Sequence, residues 1–351
     1  MIFWSQRVIT ILLAAGVSLA LLGAALYGSY SYLDGAAGAA KGAVIEISTG
    51  MNSAEIALVL KKKGLIRSAL FFRAIAHRRG YEPKFRAGKF ILPRKMKTSE
   101  LALYLVSATP IPPDIKVTVI EGLTVRETAS ILFRKAKVDS VLFVKTVLNK
   151  TTADSLGIDN ATLEGYLYPD TYYIREGAKP IEVIRKMVSR FRIAFTDSLK
   201  ARAAWFEFSV NQTVALASII EGEAASDEER AVISSVFHRR LNMGLPLQAN
   251  PTVQYALGVK RRVFNGDLEV ESPYNTYLHK GLPPGPVASP GMKSILAALY
   301  PADTKYLYFV SDNQGGHVFS KTLKEHQAAV SRYKVQRLKS DTQNESRRKV
   351  P

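Results

Sequence analysis

The groups best placed to do chemistry in this chain are two carboxylates. In LASIIEGEA, residues 216–224, Glu221 and Glu223 flank Gly222. Read as a helix over residues 213–223, at about 100° per residue, the segment carries an apolar stripe made by Leu216, Ile219 and Ile220. Glu223 falls on the centre line of that stripe and Glu221 nearly opposite, so the pattern aims Glu223 inward and Glu221 at solvent. A carboxyl held among apolar side chains keeps its proton to higher pH. A glycosidic general acid needs that property. The same pattern suits a buried acid paired with an arginine or a backbone amide, and the residues alone leave both readings open.

Other groups have simpler explanations or are missing. Ser226 and Glu229 have the S-x-x-E spacing of a capping box, opening a helix with Ile233, Val236, Phe237 and Leu241 on one face and Arg239 and Arg240 at its end. Asp227, Glu228 and Glu229 then complement the helix dipole. Cysteine is absent, which excludes disulfides, thiolate nucleophiles and Cys-ligated zinc. The five histidines, His77, His238, His279, His317 and His326, show no metal-ligand spacing. Neither a phosphate-cradling glycine loop nor a G-x-S-x-G elbow occurs. No metal and no cofactor are expected.

The stretch from 242 to 291 reads as loop, dense in glycine and proline, and long loops in compact domains are usually functional. It carries Gln248, Asn250, Thr252, Tyr255, Tyr274, Asn275, Thr276 and Tyr277. Amides and hydroxyls of this kind bond sugar hydroxyls and acetamido groups, and tyrosine rings stack on pyranose faces. Ordinary turn chemistry draws on the same residue types.

The elements that must position these groups follow from local pattern. Arg7 to Leu33 is an apolar run without a further charge, long enough for the ~20 residues a membrane-spanning helix needs. Arg7 before it and Asp34 after it predict a cytoplasmic amino terminus, with everything beyond residue 34 outside. A cleaved signal peptide is the other reading, because GAAGAA at 35–40 offers small residues. The segment 34–43 reads as a small-residue linker. Val44, Ile45 and Ile47 then suggest a strand, Asn52 or Ser53 a helix cap, SALFFRAIAHRRG a second helix, FRAGKFILP a strand, and TSELALYLVSA a helix capped by Thr98 or Ser99.

The pattern returns 72 residues later without a gap. Gly50 matches Gly122, Glu55 Glu127, Ala57 Ala129, Leu60 Leu132, Lys63 Lys135, Ser68 Ser140, and Leu70-Phe71 Leu142-Phe143. Small β-α units of this kind occur in modules that bind glycan chains, and also wherever a helix packs on a strand. Further on, the pattern predicts one long helix over about 180–203, a helical pair over 212–241, a helix at GMKSILAALYP, and a hairpin from YLYFVSD and GGHVFS. The formal net charge of +18 favours a polyanionic neighbour: nucleic acid, anionic lipid or an acidic wall polymer. The apolar run argues against nucleic acid.

The blocks LASIIEGEA, VFHRRLNMGLPLQANPTVQYALG, SPYNTYLHKGLPPGPVASPG, YLYFVSDNQGGHVFS and EGYLYPDTY together resemble the MltG-type (YceG-like) endolytic murein transglycosylases, over roughly 44–335. The resemblance implies an α+β chain with an N-terminal transmembrane helix, a LysM-like glycan-binding β-α module and a mixed α+β catalytic domain. It implies cleavage of the MurNAc-β-1,4-GlcNAc bond inside nascent peptidoglycan, giving 1,6-anhydro-MurNAc ends and terminating glycan elongation. It assigns the catalytic role to the second glutamate of the E-x-E block, Glu223, and leaves Glu221 as a solvated helix residue. Some relatives carry a larger polar residue at the position of Gly222, so a frayed helix end is expected here. It implies residence in the bacterial inner membrane and makes a penicillin-binding protein or its elongation complex a plausible partner.

The expected layout is a cytoplasmic stub and membrane helix over 1–33, linker 34–43, glycan-binding module 44–110, a second β-α unit 111–160, a catalytic domain 161–335 and a disordered basic tail 336–351. Three rivals stand beside it. One is a non-enzymatic peptidoglycan-binding scaffold. Another is a two-carboxylate hydrolase using Asp267, Glu269 or Glu271 as partner acid. The third is a nucleic-acid binder, suggested by charge alone.

Overall fold

The computed structural model describes residues 6–37, 42–111 and 114–333. The tail expected over 336–351 and residues 38–41 of the linker lie outside them. Packing divides the chain into two units, Met1–Pro113 and Asp114–Pro351.

The first unit begins with helix α1 (Gln6–Asp34). An 18-residue window of mean hydropathy 2.4, none of it buried in the protein, lies within the 27 residues from Val8 to Asp34. At 1.5 Å per residue that is about 40 Å, more than the ~30 Å hydrocarbon core of a bilayer. Strand β1 (Val44–Ile47), helices α2 (Ser53–Lys62) and α3 (Ala69–Arg78), strand β2 (Gly88–Ile91) and helix α4 (Thr98–Ser107) follow. The two strands pair antiparallel, Val44 opposite Ile91 and Ile47 opposite Gly88. Alternation puts Ile45 and Ile47 on the core face, against Ile56, Leu60, Phe72, Phe90, Leu101 and Leu105. Helix α4 is not capped by Thr98 or Ser99. The Asp34 carboxylate, 65 residues upstream, accepts from the Ser99 amide at 2.8 Å and its hydroxyl at 2.9 Å. Asp34 therefore belongs to α1 and is buried, where a free linker was expected to begin.

The second unit contains β3 (Ile115–Val119), α5 (Val125–Ala136), α6 (Ser140–Val147), α7 (Lys150–Ser155), β4 (Asp170–Ile174), α8 (Pro180–Ala194), α9 (Asp197–Trp205), α10 (Val210–Glu223), α11 (Arg230–Asn242), α12 (Asn250–Leu257), α13 (Met292–Leu299), β5 (Tyr308–Ser311) and β6 (His317–Ser320). Strands β3 and β4 pair antiparallel, as do β5 and β6. Both units are thus mixed α and β. One core runs from Val117 through Leu132, Tyr166, Phe191 and Leu216 to Leu299, so residues expected to form a joining unit and a catalytic domain share their apolar interior.

The 72-residue repeat appears as two strand–helix–helix–strand units, β1-α2-α3-β2 and β3-α5-α6-β4, the second with α7 before its closing strand. Gly50 and Gly122 both take the left-handed conformation, at φ 87° and 74°, that lets the strand turn into the helix. Asn52 with Glu55 and Thr124 with Glu127 form equivalent capping boxes. Ala57 and Leu60, like Ala129 and Leu132, are buried.

Three local expectations differ from the structure. The helix expected over 180–203 breaks at Phe195 and Thr196, where Thr196 is extended and α9 starts afresh. The loop expected from 242 to 291 contains α12, with Pro251 in its first turn, and a short 3-10 turn at Asn265–Glu269. The Ser226–Glu229 capping box does not form. Helix α11 begins at Arg230, and Glu229 instead accepts from the His317 amide at 2.7 Å and pairs with its ring Nδ1 at 2.8 Å.

Candidate active site

Helix α10 positions both glutamates. Ser209 and Gln212 cap its start, and Thr213 to Ile220 are buried without a gap, so this stretch of the helix is covered on every side and packs against α9, α11, α12 and α13. This overturns the solvent-facing expectation for Glu221. Its side chain is only 8% exposed and pairs with Arg230 at 2.9 Å. It also accepts from the Gly291 amide at 2.9 Å. A single-stripe reading assumes water opposite the stripe, and here that side holds the start of α13.

Glu223 ends the helix on another side. It is half-buried, and its Oε1 accepts from the Asn250 amide at 2.9 Å, the first residue of α12. Its Oε2 makes no protein hydrogen bond among the described residues, and the carboxylate has no ion pair there within 4 Å. Burial pushes its pKa up to about 7, with the Asn250 amide opposing the shift. The surroundings are dense, but the residue keeps an accessible strip, which a proton donor to an incoming ligand requires. The helix does not fray at Gly222. A Cβ there would stand 2.6 Å from Cγ of Pro251, so glycine is what lets α12 approach closely enough for Asn250 to reach Glu223.

The eight loop residues expected to bind sugar separate into three groups. Asn250 and Tyr277 gather near Glu223, and Gln248 lies two residues before Asn250. The Tyr277 hydroxyl donates to Asn250 Oδ1 at 2.9 Å. Burial, and then the nearby Glu223 charge, raise the Tyr277 pKa to about 12. Gln248, exposed and left-handed at φ 56°, accepts through Oε1 from the Arg240 guanidinium, which is buried and lies over the Tyr308 ring at 5.5 Å. Tyr255 and Tyr274 form a second cluster, ring centroids 4.7 Å apart. Thr252, Asn275 and Thr276 are turned into the protein interior. They are 0%, 0% and 1% exposed, and their polar atoms are used inside the protein. Thr252 donates to Ala249 O at 2.7 Å, Thr276 Oγ1 accepts from the Ala249 amide at 3.0 Å, and the Asn275 amide donates to Leu268 O and Val270 O at 2.9 Å. These residues tie 248–252 to 270–277, and so hold the Asn250 amide and Tyr277 in place.

Sequence reasoning missed Glu164. It is 3% exposed and accepts from the Val125 amide at 3.0 Å, at the start of α5. The Tyr255 hydroxyl also donates to it, and burial raises its pKa to about 8. The signal was an acid set between Leu163 and the glycine and tyrosines of 165–168. The acids considered as hydrolase partners are differently placed. Asp267 is clamped by Arg261 at 2.7 and 2.9 Å and accepts from the Phe264 amide, which lowers its pKa to about 2. Glu269 and Glu271 are exposed. A shallow cavity of 610 Å³ lies between β4 and α8, lined by residues such as Tyr173, Arg185 and Arg190, and includes none of the residues around Glu223.

Residues 45–332 match the model of the YceG-like family. The chain belongs to that family. Its relatives include an endolytic murein transglycosylase of Bacillus subtilis (strain 168), 36% identical over 305 residues, covering 82% of this chain and 84% of that protein. An endolytic murein transglycosylase of Streptococcus pneumoniae serotype 2 (strain D39 / NCTC 7466) is 31% identical over 341 residues, covering 86% of this chain and 61% of that longer protein. Among solved structures, a YceG-like protein of Listeria monocytogenes aligns with a TM-score of 0.57 at 31% identity, covering 82% of this chain and 98% of that one. The Glu-Gly-Glu turn and the α12 segment that meets it both lie inside the matched YceG-like region.

Proposed function

We propose that this protein is a membrane-anchored endolytic murein transglycosylase that cleaves MurNAc-β-1,4-GlcNAc bonds within nascent peptidoglycan and so terminates strand elongation. Glu223 is its general acid and then base. The observation that carries this reading is the Glu223 carboxyl itself: half-buried, unpaired by any cation among the described residues, with one oxygen held by the Asn250 amide and the other free. Two relatives named endolytic murein transglycosylases support the substrate class.

The Glu223 proton passes from Oε2 to the glycosidic oxygen. The C1–O4 bond breaks, GlcNAc leaves with a free 4-hydroxyl, and oxocarbenium-like charge develops at C1 of MurNAc. The carboxylate then takes the proton of the C6 hydroxyl as O6 bonds to C1. The ring closes to the 1,6-anhydro sugar, Glu223 is protonated again, and no water is consumed. A pKa of about 7 suits both halves of this cycle near neutrality. Asn250 and Tyr277 hold the acid in position, and Gln248, Tyr255 and Tyr274 are the remaining candidates for sugar contact.

The β1-α2-α3-β2 unit serves as the LysM-like glycan-binding module; its strand–helix–helix–strand order supports this. Helix α1 spans the bacterial inner membrane with its amino terminus cytoplasmic and the rest of the chain on the outer face, where newly extruded strands and the penicillin-binding proteins of an elongation complex are found. The hydrolase alternative is disfavoured by Asp267, whose charge is already taken by Arg261. The test is to digest uncrosslinked glycan strands with full-length protein and weigh the products. Anhydro ends, about one water lighter than reducing ends, support the reading. Reducing ends support the hydrolase, and intact strands support the scaffold.

A further inference from the structure

The last turn of α1 is built into the first unit. Besides the Asp34 cap on α4, the Thr98 hydroxyl donates to Leu33 O at 3.1 Å. The Arg67 guanidinium donates to Tyr32 O at 2.5 Å and lies 4.5 Å from the centre of the Tyr32 ring. Tyr30 meets Phe71, at the start of α3, edge-on at 5.4 Å. A Cβ on Gly35 would stand 2.6 Å from the Arg67 guanidinium, so the chain leaves the helix directly beneath that arginine. The apolar span ends at these same residues. Tyr27, Tyr30 and Tyr32 are exposed there, as aromatic residues are at a membrane interface. Whenever α1 spans a bilayer, the part of the unit around Arg67 and Ser99 lies at the headgroup level.

That part is basic. The α2–α3 turn reads KKKGLIR, residues 61–67, and its Lys61, Lys62, Lys63 and Arg67 are exposed. The lead into α4 reads PRKMK, residues 93–97, with Arg94, Lys95 and Lys97 exposed. Asp34 is occupied by Ser99, and Glu100 by Arg94 at 3.2 Å. Lys61, Lys62, Lys95 and Lys97 have no acidic partner within 4 Å among the described residues. Beside Arg67 and Phe71, Leu70 is 74% exposed. An exposed leucine with Arg67 and Arg73 three residues to either side is a composition suited to the boundary between acyl chains and anionic headgroups.

We propose that the α2–α3 turn and the segment leading into α4 form a docking surface for the headgroup layer of an anionic phospholipid bilayer, with Leu70 entering the acyl boundary. The anchor then does more than tether: it presents one face of the first unit to the lipid and fixes its height. Position and charge carry this together. Arg78 and Arg79 make the far end of α3 basic too, but that end lies about 12–14 Å along the helix from Leu70, and among the described residues neither arginine bonds to α1.

The absence of cysteine makes the test direct. Full-length Leu70→Cys, Lys62→Cys and Arg79→Cys proteins, each carrying one fluorophore, are placed in nanodiscs of mixed neutral and anionic phospholipid with a quencher on the headgroups. The fluorophores at 62 and 70 are expected to be quenched several-fold more than the one at 79. Equal quenching at all three, or none at 62 and 70, overturns the proposal. Quenching at 70 is expected to rise with the anionic fraction and to fall when Lys61, Lys62, Lys95 and Lys97 are all changed to Gln. Indifference to both overturns the anionic preference. Relief of quenching by added glycan strands in anionic discs would overturn the assignment to lipid and give the face to the glycan.

Discussion

The two sides of the last turn of α10 are built on opposite principles. On one side Glu221 is held by a cation: Arg230 pairs with it, the Gly291 amide bonds it, and Asp227 and Ser294 hold the arginine in turn. On the other side Glu223 keeps its proton: burial raises its pKa to about 7, and it has one neutral amide and no cation among the described residues. The residues are identical and two positions apart. What separates them is whether a guanidinium comes with the burial. A buried carboxylate with its arginine is fixed structure, while a buried carboxyl without one is a group that can give up a proton near neutral pH.

The sharpest way to break this contrast is to remove the proton and keep the shape. Glu223→Gln retains the bond from the Asn250 amide but cannot donate and reabstract a proton. Strand cleavage is expected to fall about 10²–10⁴-fold or to vanish, with an unchanged circular dichroism spectrum. Glu221→Gln, measured beside it, is expected to retain far more activity. Equal losses would mean that the two acids work as a pair.

Next in size is the structural side. Arg230→Met leaves Glu221 buried without its cation, and removing one partner of a buried pair costs roughly 3 kcal/mol or more. For a unit of this size that lowers the melting temperature by about 6–12 °C. A variant melting with the wild type would show that Glu221 is solvated after all.

The side that keeps its proton carries a stability cost of its own. Because the Glu223 pKa is raised from 4.5 to about 7, the folded state binds more protons than the unfolded state between those values. Stability contributed by this group is therefore full below about pH 4.5, declines as pH rises, and is level again above about pH 7. Glu223→Gln is expected to match the wild type in denaturant unfolding at pH 4 and to exceed it at pH 8, by up to roughly 3 kcal/mol. Equal stabilities at pH 8 would place the carboxyl in ordinary solvent.

These cases also show where sequence stops informing. Features carried by neighbours along one element were legible: the apolar span of α1, the repeat with a cap at Asn52, and the inward aim of Glu223. Features supplied from another element were not. Glu221 was misread because the start of α13 closes its side of α10. The Asp34 cap on α4 spans 65 residues, and the Glu164 bond to Val125 spans 39. Thr252, Asn275 and Thr276 have the composition of a sugar site. They became internal ties because α12 folds back onto 275–277, and no local pattern reports that contact.

The smallest expected effect tests how Gly222 joins the two sides. A methyl group at this position meets Pro251 Cγ at 2.6 Å and Cβ at 2.8 Å, and Pro251 is a rigid ring on the first turn of α12. Gly222→Ala cannot be absorbed by a side-chain rotation and must push that turn, with the Asn250 amide, away from Glu223. The amide is the group that opposes the rise of the Glu223 pKa, so its retreat raises that pKa further. Cleavage needs Glu223 protonated at its first step, so activity declines as pH rises through about 7. In Gly222→Ala that decline is expected to move to higher pH. The maximal rate should fall about tenfold, the ~1.4 kcal/mol equivalent of one misplaced hydrogen bond. A lower rate with an unmoved profile would mean that Asn250 positions the acid without tuning it. An unmoved rate and profile would mean that the α10–α12 contact is looser than the Pro251 distances require, and that glycine is not what brings Asn250 to Glu223.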